Sequence, residues 1–482
     1  MRDVTLDGLW WLPGDPDRKV AGTVSFTGET RPTLRLIGAF THEQRGPTGS
    51  YSVTVPEEHA LIHGLCERDY VTLIDCQLNV VRRGLGPSSQ WRQSLNARLM
   101  LVGILLDQPD EAYFDRIVVG VDHLLAWSGL SGFTDEHHVT KERSSGSSHR
   151  WDEQESPVAQ LDEITVRLSL GWGTGARSWA DRSERSISES AGFVVDVPQP
   201  RSADALITEW VKPLQDLLTL ATGRACGVHE ITLNRRRPEE GSNDAADRPW
   251  RPVRVDAYLQ PVYRSQPDER AMVHETMLFN LRHMPPFSEV LPAWLAVNER
   301  LGPVPAMLFG LRYISHSYVE NRLITAVAAA EALHRRLLPD ETSMDQQEYD
   351  RLRTAVLDRV PAEHRPWLGS RIRNEPSFKD RLVQLVERLG DDLFAPFMPN
   401  PDRWASTTRD ARDSLVHRLV DREPPPGEGM YVLAQMTTAV ITRNLLHEIG
   451  VPRSRLDTIV RGNDLFRWIT EEGPKLMPRL FP

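Results

Sequence analysis

The chain has 482 residues, of which 40% are hydrophobic and 26% charged, a composition typical of about two to four ordinary globular domains. Its net charge of −10 argues against a broad, sequence-blind coat on nucleic acid, but leaves room for a local basic pocket that engages one RNA. Three cysteines, Cys66, Cys76 and Cys226, are too few for a disulfide framework, so each is expected to be buried in a reducing compartment.

Neither secretion nor membrane insertion is expected. The N-terminus lacks a basic stretch followed by an apolar core, and no apolar run approaches the length of a membrane span. The chain also contains no G-x-x-x-x-G-K-[ST] phosphate loop and no H-E-x-x-H zinc motif. A cytoplasmic protein that needs no metal and no cofactor is therefore predicted.

Residues 1 to about 125 are predicted to be β-rich, because short alternating apolar segments are bounded by turn residues. The predicted strands cover residues 21–26, 33–37, 51–55, 70–75 and, as a buried strand, 98–106. Residues 134–156 are polar and are expected to form a surface loop, which is a candidate break between two subdomains.

Strands then return, interrupted by one helix. The pattern predicts strands at 164–170, 192–197, 227–233 and 253–259, and a helix over 202–222 with a kink at Pro213. The number and spacing of the strands suggest a sandwich-like arrangement.

From about Phe287 onward the periodicity is helical. The predicted helices cover residues 290–301, 317–338, 344–360, 378–389, 403–420 and 429–449. An α+β protein of two parts is therefore expected, with a β-rich region over residues 1–305 and an all-α bundle over residues 310–482.

One of these helices carries an arginine and a histidine five positions apart. That spacing occurs three times, but Gly227 interrupts the pair at 224 and 229, and Pro361 interrupts the pair at 359 and 364. Arg412 and His417 have no helix breaker between them. Asn400 and Pro401 are typical helix-start residues, and prolines 424–426 are expected to end the helix.

An arginine followed by a polar residue and, after four to six positions, a histidine resembles the motif of HEPN-domain ribonucleases. The resemblance implies metal-free RNA cleavage in which His417 is the general base on the ribose 2′-hydroxyl or the general acid on the leaving 5′-oxygen. Arg412 would stabilise the charge that develops on the phosphate. It also implies a homodimer in which this helix from each copy lines one cleft.

Three further segments, in chain order, resemble the ApeA family. They are GLWWLPG with VAGTVSF at residues 8–14 and 20–26, WVKPLQDLLTLATG at 210–223, and ENRLITAVAAAEALH at 320–334, which is similar to the first helix of the family's HEPN domain. The family resemblance implies a bacterial anti-phage defence protein, in which an N-terminal sensing or regulatory region controls a C-terminal HEPN nuclease. It further implies abortive infection, a phage-derived protein as possible activator, and host RNA, with transfer RNA favoured, as substrate.

Three acidic residues join the candidate site. Asp413 stands where HEPN motifs commonly carry asparagine; it could accept a hydrogen bond from His417 or Arg412, but its charge would also repel the scissile phosphate. Glu320 and Glu331, on the first bundle helix, could face the cleft and bond the arginine.

Two other functions stay open at this level. The helical domain could serve only dimerisation or RNA binding, with Arg412, Asp413 and His417 on a solvated helix face. The chain could also be a HEPN toxin whose inhibitor is encoded elsewhere, although the large N-terminal region favours control within the chain.

Overall fold

The computed structural model describes residues 1–45, 51–67, 69–83, 91–140, 143–176, 185–235, 253–265, 272, 274–314, 316–417 and 425–481. In this part of the chain every strand lies before residue 260, and every element after residue 273 is helical. The predicted α+β order, with a β-rich first part and an all-α second part, is confirmed.

Sixteen strands are described in the N-terminal region. They are β1 Val4–Leu12, β2 Asp15–Phe26, β3 Thr33–Leu36, β4 His42–Arg45, β5 Tyr51–Thr54, β6 Glu58–Cys66, β7 Asp69–Arg83, β8 Trp91–Val102, β9 Phe114–Val121, β10 Phe133–Thr140, β11 Arg143–Trp151, β12 Val158–Leu161, β13 Ile164–Ala176, β14 Arg185–Arg201, β15 Val228–Arg235 and β16 Val253–Leu259.

Twelve of these strands form one sheet in the order β12-β13-β14-β9-β15-β16-β8-β3-β2-β1-β6-β7. Because β7 also pairs with β8, the six strands from β8 to β7 close into a ring around their own core, which includes Trp10, Phe26, Leu73 and Met100. The sheet therefore closes on itself at one end and stays open at the other.

Strand β8 joins the two halves of this sheet. Its side chains alternate along the first part, but Leu99, Met100 and Leu101 are all buried. Met100 belongs to the ring core, whereas Leu99 and Leu101 belong to the larger core on the other face. A strand that is covered on both faces has a nearly continuous apolar sequence. The apolar run at residues 98–106 therefore predicts a buried strand.

The expectation of a surface loop over residues 134–156 is wrong for most of that segment. Strands β10 and β11 form a separate antiparallel hairpin, with Phe133 opposite Trp151, and His149 Nδ1 lies 2.7 Å from Asp135 Oδ1 across it. The hairpin is rich in serine and charge, so it lacks the apolar alternation that identifies a half-buried strand. Strands before and after it share the twelve-stranded sheet, and the division into two subdomains stays a prediction.

Twelve α-helices complete the described architecture. They are α1 Leu124–Ser128, α2 Ala203–Thr222, α3 Phe287–Leu301, α4 Pro303–Tyr313, α5 Val319–Leu337, α6 Gln346–Asp358, α7 Arg365–Gly369, α8 Phe378–Glu387, α9 Pro401–His417, α10 Gly427–Glu448, α11 Arg453–Gly462 and α12 Asp464–Leu476.

Helix α2 connects the sheet to the helical bundle. The Ser202 hydroxyl caps its first turn, and the helix continues through Pro213 to Thr222. Its buried Asp216 accepts a hydrogen bond from the Tyr313 hydroxyl of α4 at 2.6 Å, and that hydroxyl lies 2.8 Å from Thr219 Oγ1. One hydrophobic core extends from the open part of the sheet through α2 into the bundle, so the two parts of the chain are packed as a continuous unit.

Glu448, the last residue of α10, forms ion pairs that link this helix to α3 and to the end of α8. Its carboxylate accepts hydrogen bonds from Arg300 of α3 and from Arg388, the residue that follows α8, and it is only 11% exposed. Desolvation opposes ionisation, but the two guanidinium groups outweigh it and hold the pKa of Glu448 below its ordinary value. A depressed pKa contributes stability that is present above the ordinary pKa of a glutamate and is lost as the pH falls through the folded-state pKa.

We therefore expect Glu448→Gln to lower the free energy of unfolding at pH 7 by about 1–3 kcal/mol. The difference between wild type and variant should shrink as the pH is lowered from 7 to about 3. Urea unfolding across this range measures it, with the exposed Glu471→Gln as the matched control. Parallel pH profiles for wild type and Glu448→Gln would contradict the assignment.

Candidate nuclease site on helix α9

Helix α9 carries the arginine-histidine pair, and its start follows the sequence prediction. The Asn400 side chain accepts a hydrogen bond from the Arg403 backbone N–H at 2.9 Å, which satisfies one of the free donors of the first turn. Trp404, Thr408 and Ala411 are buried on one face at helical spacing. This face packs against α8 and α5 and fixes the rotation of the helix about its axis.

The side chain of Arg412 is held from two sides. Its Nη1 donates to Asp413 Oδ1 at 3.1 Å, and its guanidinium lies over the ring of Phe378, 5.2 Å from the centroid. The side chain remains 31% exposed. Within the described residues Asp413 is its only hydrogen-bond acceptor, so most of the guanidinium N–H donors are available to an anionic ligand.

His417 is the last residue of α9, and its side chain lies outside the described part of the structure. Its backbone follows Arg412 by five helical positions, which places the two residues about 140° apart around the axis. Joint action on one phosphate therefore depends on the reach of the arginine or on a second copy of the helix.

The sequence of this helix predicts an apolar stripe made of Ala411, Leu415, Val416, Leu419 and Val420, and the prediction is correct only in part. Ala411 is buried and Leu415 packs against the core, but Val416 is 52% exposed. The stripe's remaining members, Leu419 and Val420, and the first of the three helix-ending prolines, Pro424, lie outside the described residues.

Neither predicted supporting glutamate bonds Arg412 within the described residues. Glu331 accepts from Arg335 at 3.1 Å, one turn along α5. Glu320 lies in the first turn of the same helix and is partly exposed. Arg412 instead donates to its sequence neighbour Asp413. Of the two donors expected for Asp413, His417 and Arg412, the structure therefore shows Arg412.

The structure adds Phe378, which sequence reasoning missed. Phe378 begins α8 behind a reciprocal cap between Ser377 and Asp380. Just before the cap, Glu375 accepts from Arg381 at 2.9 Å and from Arg373 at 3.3 Å. No local pattern links a residue 34 positions away to Arg412, so only the packing of α8 on α9 reveals the contact.

A second arginine-histidine segment, RNLLH at residues 443–447, is buried from Arg443 to Leu446, whereas His447 is exposed. The guanidinium of Arg443 is fully buried, lies within 5.5 Å of the ring centroids of Phe394, Phe397 and Phe466, and donates to Leu456 O at 2.9 Å. Burial lowers the pKa of Arg443 to about 10. Arg443 is part of the core and cannot contact a substrate, so the segment cannot act as an arginine-histidine pair.

Because methionine matches the length of the arginine stem and needs no counter-charge, Arg443→Met should change the free energy of unfolding by less than about 1.5 kcal/mol. Arg443→Ala should cost about 2–5 kcal/mol because it leaves a cavity among the three rings. RNA cleavage per folded molecule should be equal in wild type and Arg443→Met. A large loss of cleavage in a well-folded Arg443→Met protein would instead assign Arg443 to the active site.

Two of the buried cysteines are poorly suited to nucleophilic chemistry. Burial raises the pKa of Cys66 to about 11 and that of Cys226 to about 12, so neither thiol is poised as a nucleophile. No cluster of three or more histidine, cysteine or acidic side chains with metal-site geometry occurs in this part of the chain. No described helix combines the length and the apolar character that a membrane crossing requires.

A β-rich region that shares its core with a helical bundle, in which one bundle helix carries Arg412 and His417, has the organisation of a HEPN protein with an N-terminal partner region. Family comparison agrees with both parts: residues 6–294 match ApeA N-terminal domain 1, and residues 324–455 match the Apea-like HEPN domain. The chain belongs to the ApeA family, and the resemblance of its three segments is confirmed. Comparison with curated proteins and with solved structures gives no match. Membership fits a role in anti-phage defence and a ribonuclease activity of the HEPN domain.

Proposed function

We propose that this protein is a metal-independent endoribonuclease that acts in abortive infection, with Arg412 and His417 as its catalytic residues. The observation that carries the proposal is the state of Arg412. Its guanidinium is held between Asp413 and Phe378 on a helix of a HEPN domain, with N–H donors left for a phosphate. A preoriented cation of this kind stabilises the charge that develops during phosphodiester cleavage.

The reaction is transesterification by the neighbouring ribose hydroxyl. His417 removes the proton from the 2′-hydroxyl, or donates one to the leaving 5′-oxygen, while the 2′-oxygen attacks phosphorus and the bond to the 5′-oxygen breaks. The products are a 2′,3′-cyclic phosphate and a 5′-hydroxyl. DNA is not cleaved, because it lacks the 2′-hydroxyl.

A homodimer through the HEPN domain would supply both proton transfers. One histidine would serve as base and the second as acid, and two arginines would clamp the phosphate. Val416 supports this arrangement, because it presents a half-exposed apolar side chain one residue before His417. A second copy of α9 packed on this surface would bury Val416.

The N-terminal region, residues 1–305, is proposed to sense a phage component, with a phage-derived protein as activator, and to hold the nuclease domain, residues 310–482, inactive until then. The physical link is the shared core, in which α2 contacts α4 through Asp216 and Tyr313. Host transfer RNA in the cytoplasm is the proposed substrate, because cutting it stops translation with few cleavage events. No metal or cofactor is proposed to take part.

The deciding experiment incubates purified full-length protein with total cellular RNA and a chelator, with and without phage lysate, and maps the ends of every fragment. Wild type should leave cyclic phosphate and 5′-hydroxyl ends, and His417→Ala should not. If wild type and His417→Ala protect cells equally and neither cleaves RNA with lysate present, the nuclease proposal fails. The non-catalytic binding function then replaces it.

A further inference from the structure

A cavity of about 540 Å³ lies where the end of α2 meets the helical bundle. Gly223, Arg224 and Tyr263 line it from the N-terminal region, and α4, α5, α10 and α12 line it from the bundle. Its volume is within the usual range of small-molecule sites, and such sites commonly form where two parts of a protein meet. It is separate from the surface of α9 that carries Arg412.

The wall of this junction cavity is cationic. Three arginines, Arg224, Arg312 and Arg322, line it together with a single acid, Asp464. That carboxylate is already engaged, because it accepts hydrogen bonds from Arg224 and, at 2.7 Å, from Arg467 outside the cavity. The lining of the cavity therefore carries three guanidinium groups and one carboxylate.

Arg312 lacks the partners that a buried guanidinium requires. Its Nη2 donates to Thr442 Oγ1 at 3.3 Å, whereas Nε and Nη1 are buried without a hydrogen-bond partner among the described residues. Burial lowers the pKa of Arg312 to about 10, so the side chain still carries its charge at neutral pH. Burying a charge with few partners is costly, and an anion bound in the cavity that Arg312 lines would offset part of that cost through its charge.

Aromatic side chains form another part of the wall. Tyr431 of α10 and Trp468 of α12 meet edge to face with ring centroids 5.0 Å apart, and Tyr263 lies in the same wall. Gln435 and Thr438 follow Tyr431 on one face of α10 and supply hydrogen-bonding groups. Aromatic faces that receive a planar base, next to arginines that receive a phosphate, are the usual chemistry of nucleotide binding.

A second cavity, of about 510 Å³, indicates how a ligand would be oriented in the first one. It shares Tyr431 and Trp468 with the first cavity, but its charged wall residues are the acids Glu428 and Glu472. A phosphate is repelled at this acidic end and attracted at the arginine end. A ligand with one anionic end would therefore place that end toward Arg312 and its uncharged end toward Trp468.

We propose that the junction cavity binds a nucleotide, with the phosphate at Arg312 and its neighbouring arginines and the base against Tyr431 and Trp468. The ligand contacts both parts of the chain at once. It also contacts α10, the helix that follows the one carrying Arg412. Binding alone is proposed, without hydrolysis of the nucleotide.

The test is calorimetric titration of full-length protein with the four ribonucleoside 5′-monophosphates and ATP, up to about 1 mM free ligand. Adenosine and inorganic phosphate are separate arms that present the base and the anion alone. At least one nucleotide should bind and raise the melting temperature, and adenosine and phosphate should bind more weakly. Arg312→Met and Trp468→Ala should each weaken binding about tenfold or more.

Arg453→Met is the matched control, because Arg453 is an exposed arginine paired with Asp392 outside the cavity. It should bind like wild type. Tyr431→Leu replaces Trp468→Ala if the latter fails to fold. The proposal is overturned if no nucleotide binds, if binding survives substitution of both Arg312 and the aromatic residue, or if inorganic phosphate binds as tightly as the nucleotides. RNA cleavage is not measured, so this outcome is independent of the nuclease proposal.

Discussion

Arg412→Ala is expected to reduce RNA cleavage by about 10²–10³-fold, the usual loss when one preoriented group that stabilises transition-state charge is removed. The substitution deletes the guanidinium over Phe378 and leaves the buried face of α9, which includes Trp404 and Ala411, unchanged. Folding should therefore be preserved. The measurement is the rate of cleavage at the dominant site in cellular RNA, in the presence of phage lysate and a chelator.

Arg409→Ala provides a matched control on the same helix. Arg409 lies one turn before Arg412, is similarly exposed, and is paired with Asp410 at 2.7 Å. Removing it takes away the same charge from the same surface, so a loss restricted to Arg412→Ala excludes a general electrostatic effect on RNA binding. Equal losses in the two variants would show that α9 contributes only non-specific attraction and that Arg412 has no catalytic role.

Asp413 could hold Arg412 in position or repel the phosphate of the RNA, and one substitution distinguishes these two effects. Asp413→Asn retains an oxygen that can accept the Arg412 hydrogen bond but removes the negative charge beside the scissile phosphate. Cleavage as fast as or faster than wild type therefore assigns Asp413 the role of holding Arg412. A loss as large as that of Arg412→Ala assigns the carboxylate charge itself a role in the reaction.

Trp294→Ala is expected to cause the largest loss of stability, about 3–5 kcal/mol in the free energy of unfolding. Trp294 is fully buried, packs edge to face on Phe309 at 6.1 Å, and its indole N–H donates to Pro213 O of α2 at 2.8 Å. Removing the ring leaves a cavity where α2, α3 and α4 meet. Urea unfolding followed by far-ultraviolet circular dichroism measures the loss.

This substitution also tests whether the sheet and the bundle unfold together. Because Trp294 lies in the core that both share, its loss should move a single transition that includes strand and helix signals. Trp367→Ala, at a tryptophan that is 64% exposed, should change the midpoint little. A loss of under about 1 kcal/mol for Trp294→Ala, or a shift of the helical signal alone, would contradict the shared core.

Local sequence determined the elements whose signals are local. The apolar spacing of residues 202–222 predicted α2, and Asn400 with Pro401 predicted the start of α9, because helix periodicity and capping involve residues at most a few positions apart. The largely apolar run at residues 98–106 predicted a buried strand. The arginine-histidine spacing, with the three family-like segments, was sufficient to identify the class of protein.

Tertiary structure decided everything that depends on residues distant in sequence. The polar hairpin from Phe133 to Trp151 is held by backbone pairing, so its sequence has no apolar alternation that would predict strands. The pairing of β7 with β8 depends on long-range register, which local patterns do not predict. The contact of Phe378 with Arg412 and the position of Arg312 in the junction cavity exist only because separate helices pack together. Periodicity along a chain shows which face of an element is buried, whereas only packing decides what that face meets.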